Sequence, residues 1–299
     1  MDIIKNISII FISIFFESLP FLLLGSFISA VIENYVSNET ISKMIPKNKI
    51  LGSIVGVFLG FFIPACDCAV IPVSKRLLKK KVPINVAISF MLSSPIINPV
   101  VLLSTYYAFY RTNPNIFFLR IILGIVISLV IGVIMGVIFK DKDVVLPGVS
   151  DECSECCHDE DHHHDEKGFS AILRHTAYDL FDVVKYLMFG ALIASLVQVL
   201  IPRSILTLFN NNQILSIVVL MLFAYLISLC STSDSFVGKS LLVNFSEGSI
   251  IAYLLLGPMI DIKNTMVLLG NYQKKFVITL ITLIFIVIFM ATLLEVMVL

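Results

Sequence analysis

The chain has 299 residues, 58% of them hydrophobic and only 14% charged, with a mean hydropathy of +0.98. Ordinary soluble domains carry about 25% charged residues, so this composition sets the chain apart from them and defines a polytopic membrane protein whose first partner is the lipid bilayer. The formal net charge is zero, and with no basic face and no aromatic RNA-binding motif, nucleic acid is not an expected partner.

In chain order, the first apolar segment runs from Ile7 to Ile32. It is too long, and too interrupted by Glu17 and Pro20, to be a cleavable signal segment with an apolar run of about 7 to 15 residues, and it reads as a retained helix. The second segment, Ile50–Leu78, and the third, Val82–Phe109, exceed the roughly 20 residues that span about 30 Å of hydrocarbon. Each has a predicted break near its middle, at Pro64-Ala65-Cys66-Asp67-Cys68 and at Ser93-Ser94-Pro95. The fourth, Ile116–Phe139, reads as uninterrupted. After a polar linker come Leu180–Ile201, Ile214–Leu242, Ile250–Leu269 and Phe276–Leu299. The expected fold is therefore all-α, with eight spans in two halves: a first transmembrane repeat over 1–139, a linker over 140–173 and a second repeat over 174–299.

The halves share landmarks. Cys66 answers to Cys230, Pro95 to Pro258 and Asn98 to Asp261, with the prolines 29 and 28 residues beyond their cysteines and each polar residue three beyond its proline. Upstream, Glu17 and Gly25 answer to Asp182 and Gly190. Offsets of 163 to 165 residues argue for tandem duplication. Four spans per half would set the repeats parallel; re-entrant hairpins at the breaks would invert them, and the sequence leaves both open. The basic cluster Lys75, Arg76, Lys79, Lys80 and Lys81 reads as a cytoplasmic loop that sets topology, which puts both termini inside.

The chemistry concentrates at the breaks. An ionisable side chain or a broken helix persists in hydrocarbon only where it lines a protein- or water-filled cavity. Asp67 reads as an N-cap after the first break, and Ser231, Thr232, Ser233 and Asp234 offer caps after Cys230; Ser94-Pro95 and Gly257-Pro258 place Pro where a helix would restart. Helix N-termini favour anions and thiolates, so Cys66, Cys68 and Cys230 are candidate ligands in one site between the halves. The bland alternative is cysteines packed as small hydrophobes. Glu17, Asp67, Asp234 and Asp261 are expected to be paired, protonated or in contact with a cation, with Lys263 a candidate partner. Asp182 is expected to neutralise Lys185.

The linker carries ten acidic and four basic residues between Lys140 and Arg174. Its Cys153, Cys156, Cys157, His158, His162, His163 and His164 suit a labile Zn or Cu, although their spacing lacks the two separated ligand pairs of a structural zinc finger. No cofactor is required. The Gly238-Lys239-Ser240 triplet lacks the upstream glycine of a phosphate-binding loop, and no ATPase segment is present, so a secondary carrier is preferred.

At ACDCAVIPVSKRL, SSPIINPVVLLSTY, LCSTSDSF and GPMIDIKN the chain resembles the permeases of the YraQ and ArsP type over nearly its whole length apart from the linker. The resemblance implies a plasma-membrane efflux permease, not an enzyme, for a toxic metal, metalloid or organometalloid species. Within it, Asp67 stands where a small residue is usual, and Thr232-Ser233 replaces a more usual Glu-Ala. The substrate-binding or translocation set read from the sequence is Glu17, Cys66, Asp67, Cys68, Pro95, Asn98, Cys230, Ser231, Asp234, Pro258 and Asp261, with the linker cysteines and histidines as a metal-collecting group. A homo-oligomer is compatible with the sequence. Two other classes stay open: an intramembrane thiol oxidoreductase using Cys66 and Cys68, and a non-transporting metal-sensing membrane protein.

Overall fold

The structure is a computed structural model that describes residues 2–35, 46, 48–63, 66–139, 144–146, 169–200 and 212–298. The described residues form twelve helices: α1 Asp2–Tyr35, α2 Lys49–Phe62, α3 Val70–Lys79, α4 Ile84–Ile97, α5 Pro99–Phe109, α6 Pro114–Ile138, α7 Phe169–Leu200, α8 Gln213–Ile227, α9 Ser231–Leu241, α10 Glu247–Met259, α11 Ile262–Asn271 and α12 Lys274–Val298. Among the described residues, six stretches are long and apolar enough to cross a membrane: Ile3–Ile32, Ile84–Phe109, Pro114–Ile138, Thr176–Leu200, Glu247–Asn271 and Lys274–Met297. The protein is an all-α polytopic membrane protein. Two shorter apolar helices, α2 and α8, complete the packing.

Two helices form the centre. Every residue of α4 is buried, as are Gly248 to Met259 of α10, and the two pack on each other. For α4 the cause is legible in the chain. Gly52, Gly56 and Gly60 recur every four residues along one face of α2, and a Cβ at these positions would run into Asn85, Val86 and Ser93 of α4. On the other side, Gly124, Gly132 and Gly136 of α6 meet Ile96, Ser89 and Asn85. Lipid tails are as apolar as Leu, so helices in a membrane associate through close backbone approach, and α4 is clasped between two glycine faces. The long helices turn their large side chains outward: Ile12 and Phe16 on α1, Phe118 and Ile122 on α6, and Ile286 and Met290 on α12 are exposed, as a lipid-facing shell requires.

Helices α1 and α7 pack together at the side of the bundle. Gly25 brings α1 onto the backbone of Ala69, and Gly190 brings α7 onto the backbone of Lys263. Polar clamps hold them. The Arg76 guanidinium donates from Nη2 to Asp179 Oδ1 at 2.6 Å and from Nε to Oδ2 at 3.1 Å, and Ser29 adds a bond to Oδ2 at 3.0 Å. Lys75 Nζ donates to Asn271 Oδ1 at 2.9 Å and lies 3.7 Å from Asp182, which Lys185 contacts at 2.8 Å. The sequence reading took Lys75 and Arg76 for a solvated loop. They lie instead in α3, 8% and 4% exposed, because carboxylates on α7 compensate them. One antiparallel bridge, Val145 to Tyr272, anchors residues 144–146: Leu146 N donates to Asn271 O and Gln273 N to Val144 O, both at 2.9 Å.

Candidate functional site

Four helix interruptions build the site. Between α2 and α3, the Cys66 carbonyl accepts from Ala69 N at 3.0 Å and Val70 N at 3.2 Å. Between α4 and α5 a single extended residue, Asn98, breaks the helix and caps the next, accepting from Val100 N at 3.0 Å, with Pro99 in the first turn where a missing N–H costs nothing. Between α8 and α9, Ser228 is left-handed at φ 51° and Cys230 is the N-cap of α9. Between α10 and α11, Asp261 caps the restart through Asn264 N at 2.7 Å.

The predicted restart points need correction. Pro95 and Pro258 lie inside α4 and α10, and the chain breaks about one helical turn later, at Asn98 and Asp261. A proline in a buried membrane helix is tolerated when its neighbours re-satisfy the freed carbonyl; a short polar side chain that captures free N–H groups is the stronger stop. Asp67 is not an N-cap either, since α3 begins at Val70 behind Ala69.

The interruptions surround one cavity of about 290 Å³. Its sulfur-bearing wall is Cys66, Cys68 and Cys230; its polar wall is Glu17, Asp67, Asn98 and Lys263, with Ser18, Ser228, Ser231 and Thr232; Ile14, Phe21, Leu24, Val100 and Val101 supply the apolar remainder. All three cysteines are free thiols. Cys68 is 2% exposed and approaches Ser18 Oγ at 3.9 Å. Cys230 contacts Thr232 Oγ1 at 2.8 Å and Ser233 Oγ at 3.6 Å, and Glu17 lines the same cavity. Ligand atoms of Cys66, Asp67 and Cys68 all lie within 4.8 Å of one another. This trio can coordinate a metal ion.

Beneath the thiols lies a buried charge triad. Lys263 Nζ donates to Asp261 Oδ2 at 2.7 Å, to Asp67 Oδ2 at 3.1 Å and to the Ser228 carbonyl at 3.4 Å; Asn264 Nδ2 adds a bond to Asp67 Oδ2 at 2.8 Å. Lys263 is 2% exposed, Asp67 4% and Asp261 fully buried. Two carboxylates against one ammonium, with Glu17 also lining the cavity, give it a negative balance that favours a neutral or positively charged occupant.

A second polar cluster lies off the cavity. Arg120, fully buried in the largely apolar α6, donates from Nη1 to Thr105 Oγ1 at 2.6 Å and to Ser235 Oγ at 2.8 Å. Nearby, Asp234 Oδ1 accepts from Tyr253 OH at 2.9 Å, and Asp234 and Arg120 act on each other through space without a direct bond. Arg120 Nε and Nη2 and Asp234 Oδ2 have no hydrogen-bond partner among the described residues.

Of the residues read from the sequence, Glu17, Cys66, Asp67, Cys68, Asn98, Cys230 and Ser231 line the cavity, and Asp261 supports it through Lys263. Asp234 belongs to the Arg120 cluster, and Pro95 and Pro258 do not border the cavity. Cys153, Cys156, Cys157, His158, His162, His163 and His164 lie outside the described residues. The sequence reading took Ile116–Phe139 as uninterrupted and passed over Arg120, although one arginine in so apolar a span is itself a signal. It also missed Ser18, Ser228 and Asn264.

A helical bundle whose broken helices border a part-open cavity carrying thiols and charged groups has the architecture of a membrane permease, which moves a small substrate across the bilayer. A family model described as "Predicted permease" (ArsP_1) matches residues 3–296. The chain belongs to this permease family and is a multi-pass protein of the plasma membrane. It is similar to a protein of Streptococcus mutans named as a subunit of a two-component membrane permease complex, 38% identical over 272 residues, covering 90% of this chain and 88% of that one. It is also similar to the UPF0718 protein YcgR of Bacillus subtilis, 40% identical over 291 residues, covering 95% of each. No solved structure matches.

Proposed function

We propose that this permease exports a thiophilic metal, metalloid or organometalloid species by secondary transport, with Cys66, Cys68 and Cys230 as its ligands. The observation that carries the reading is the meeting of three free thiols, contributed by segments 164 residues apart, on one cavity of about 290 Å³. Three sulfurs without histidine suit a trigonal soft centre such as Cu(I) or trivalent arsenic better than Zn(II), which takes four ligands. The carboxylates of the same cavity can take up a proton released when a thiol coordinates, which links export to proton influx.

The paired interruptions on either side of linker 140–173 support a reading of two repeated halves and eight spans, with α2–α3 and α8–α9 each acting as one broken span. In this reading the linker cysteines and histidines gather metal near the membrane without forming part of the path. The S. mutans relative, named for a two-component complex, supports a further membrane subunit working with this chain.

The test is flux into everted vesicles screened across Cu(I), Zn(II), arsenite and methylarsenite. Cys66→Ser and Cys230→Ser should each abolish export of Cu(I) or arsenite at matched membrane abundance, and methylarsenite, with fewer free valences, should tolerate the loss of one sulfur better. Wild-type flux of all four in both variants would remove the thiolate mechanism.

A further inference from the structure

Asp67 belongs to two groups at once. One of its oxygens completes the Cys66, Asp67 and Cys68 trio, and its Oδ2 accepts from Lys263 at 3.1 Å and Asn264 at 2.8 Å. A cation held by the trio would therefore share a buried carboxylate with an ammonium, and like charges a few ångströms apart in a poorly solvated interior repel strongly. Lys263 has somewhere to go. Asp261, fully buried, already holds it at 2.7 Å, and the Ser228 carbonyl lies at 3.4 Å.

We propose that Lys263 is a built-in counter-cation of the transport site. In the empty protein it neutralises Asp67; a positively charged cargo bound by Cys66, Asp67 and Cys68 displaces it onto Asp261; its return to Asp67 expels the cargo. Bonds from cargo to sulfur and to carboxylate oxygen form as the Asp67–Lys263 ion pair breaks. Thiol protons displaced by coordination pass to the Glu17 carboxylate on the same cavity, and the lysine charge stays on Asp261. The exchange restricts cargo to centres that carry positive charge when bound, and excludes oxyanions, which the two carboxylates repel. It also makes loading a mechanical event: Asp67 precedes α3, whereas Lys263 and Asn264 belong to α11, so an occupied site loosens one of the bonds joining them.

This inference rests on the thiol reading of the cavity. Its test uses the full-length chain in detergent, with Cd(II) as probe, and follows by equilibrium dialysis the binding component that Cys66→Ser removes. Lys263→Met should bind Cd(II) about tenfold more tightly than wild type and release it more slowly from loaded vesicles, whereas Lys263→Arg should stay within about twofold of wild type. Asp261→Asn, which strands the lysine on Asp67, should weaken binding about tenfold, and that effect should vanish in the Lys263→Met background. A simple sum of charges would instead leave the two effects additive. Unchanged or weaker binding in Lys263→Met, or full additivity in the double variant, overturns the exchange while leaving the thiol site standing. Absence of any Cys66-dependent binding in wild type overturns both. Should Lys263→Met not insert, Lys263→Gln and Asp261→Asn carry the same test.

Discussion

Replacing Arg120 by methionine should be among the most damaging single changes in the membrane interior. The guanidinium ties α5 to α9 through Thr105 at 2.6 Å and Ser235 at 2.8 Å, and hydrogen bonds from a charged donor contribute about 1.5–3 kcal/mol each. Methionine fills similar volume, so cavity formation adds little. Asp234, 2% exposed, also loses one of the two buried cations that act on it, Arg120 and Lys263, although no direct ion pair is broken. The expected loss is thus about 3–5 kcal/mol, or a fall in melting temperature on the order of 10 °C for a chain of this size. The assay is thermal unfolding in detergent of wild type, Arg120→Met, Asp234→Asn and the double variant. Because the groups share one cluster, the double variant should recover at least about 1 kcal/mol relative to the sum of the singles. A melting temperature for Arg120→Met within 2 °C or so of wild type, or strict additivity in the double, would refute the claim that these charges stabilise each other.

Further outcomes follow from the same geometry. Gly56→Ala gains about 1 kcal/mol in helix propensity, but its Cβ would press on the Val86 carbonyl and lie 3.1 Å from Ser89 Cβ; overpacking of about 1–3 kcal/mol should win, and a lower melting temperature would register it. Asn98→Ala should lose about 1 kcal/mol of capping while Asn98→Asp keeps it, a contrast measurable in the same melts. Arg76→Gln, which removes the forked bond to Asp179, should destabilise by about 1–3 kcal/mol, and a matching loss in Asp179→Asn would tie the effect to that pair. Deleting 153–164 should weaken transport at low substrate concentration and leave flux at saturation, as read from concentration series in vesicles.

Local chemistry made part of this architecture readable. Cys66, Asn98, Cys230 and Asp261 interrupt apolar runs with residues that hydrocarbon does not tolerate without a reason, and they mark or border real interruptions. The exact stops escaped, because Pro95 and Pro258 look like breakers in isolation while surrounding helices decide whether a freed carbonyl finds a partner. Asp67 was misread as a cap for a related reason: its partners, Lys263 and Asn264, are 196 and 197 residues away, beyond any local pattern. Lys75 and Arg76 looked like loop charges because the carboxylates that allow their burial sit on α7. Arg120 and the glycine spacings of α2 and α6 were present in the sequence as patterns; only the faces they meet required three dimensions.

The short bridge between Val145 and Tyr272 bears on how the two parts of the chain stay together. Two main-chain hydrogen bonds fasten residues 144–146 onto the turn between α11 and α12, and that turn is bonded in its own right to α3, through Tyr272 to Ser74 at 2.7 Å and Asn271 to Lys75 at 2.9 Å. The tail that leaves α6 therefore acts as a latch on the second half, independent of the peptide bonds that follow it. A gene divided within the codons for 147–168 should yield two polypeptides that find each other in the membrane and copurify, the first carrying its own docking tag at its new C-terminus.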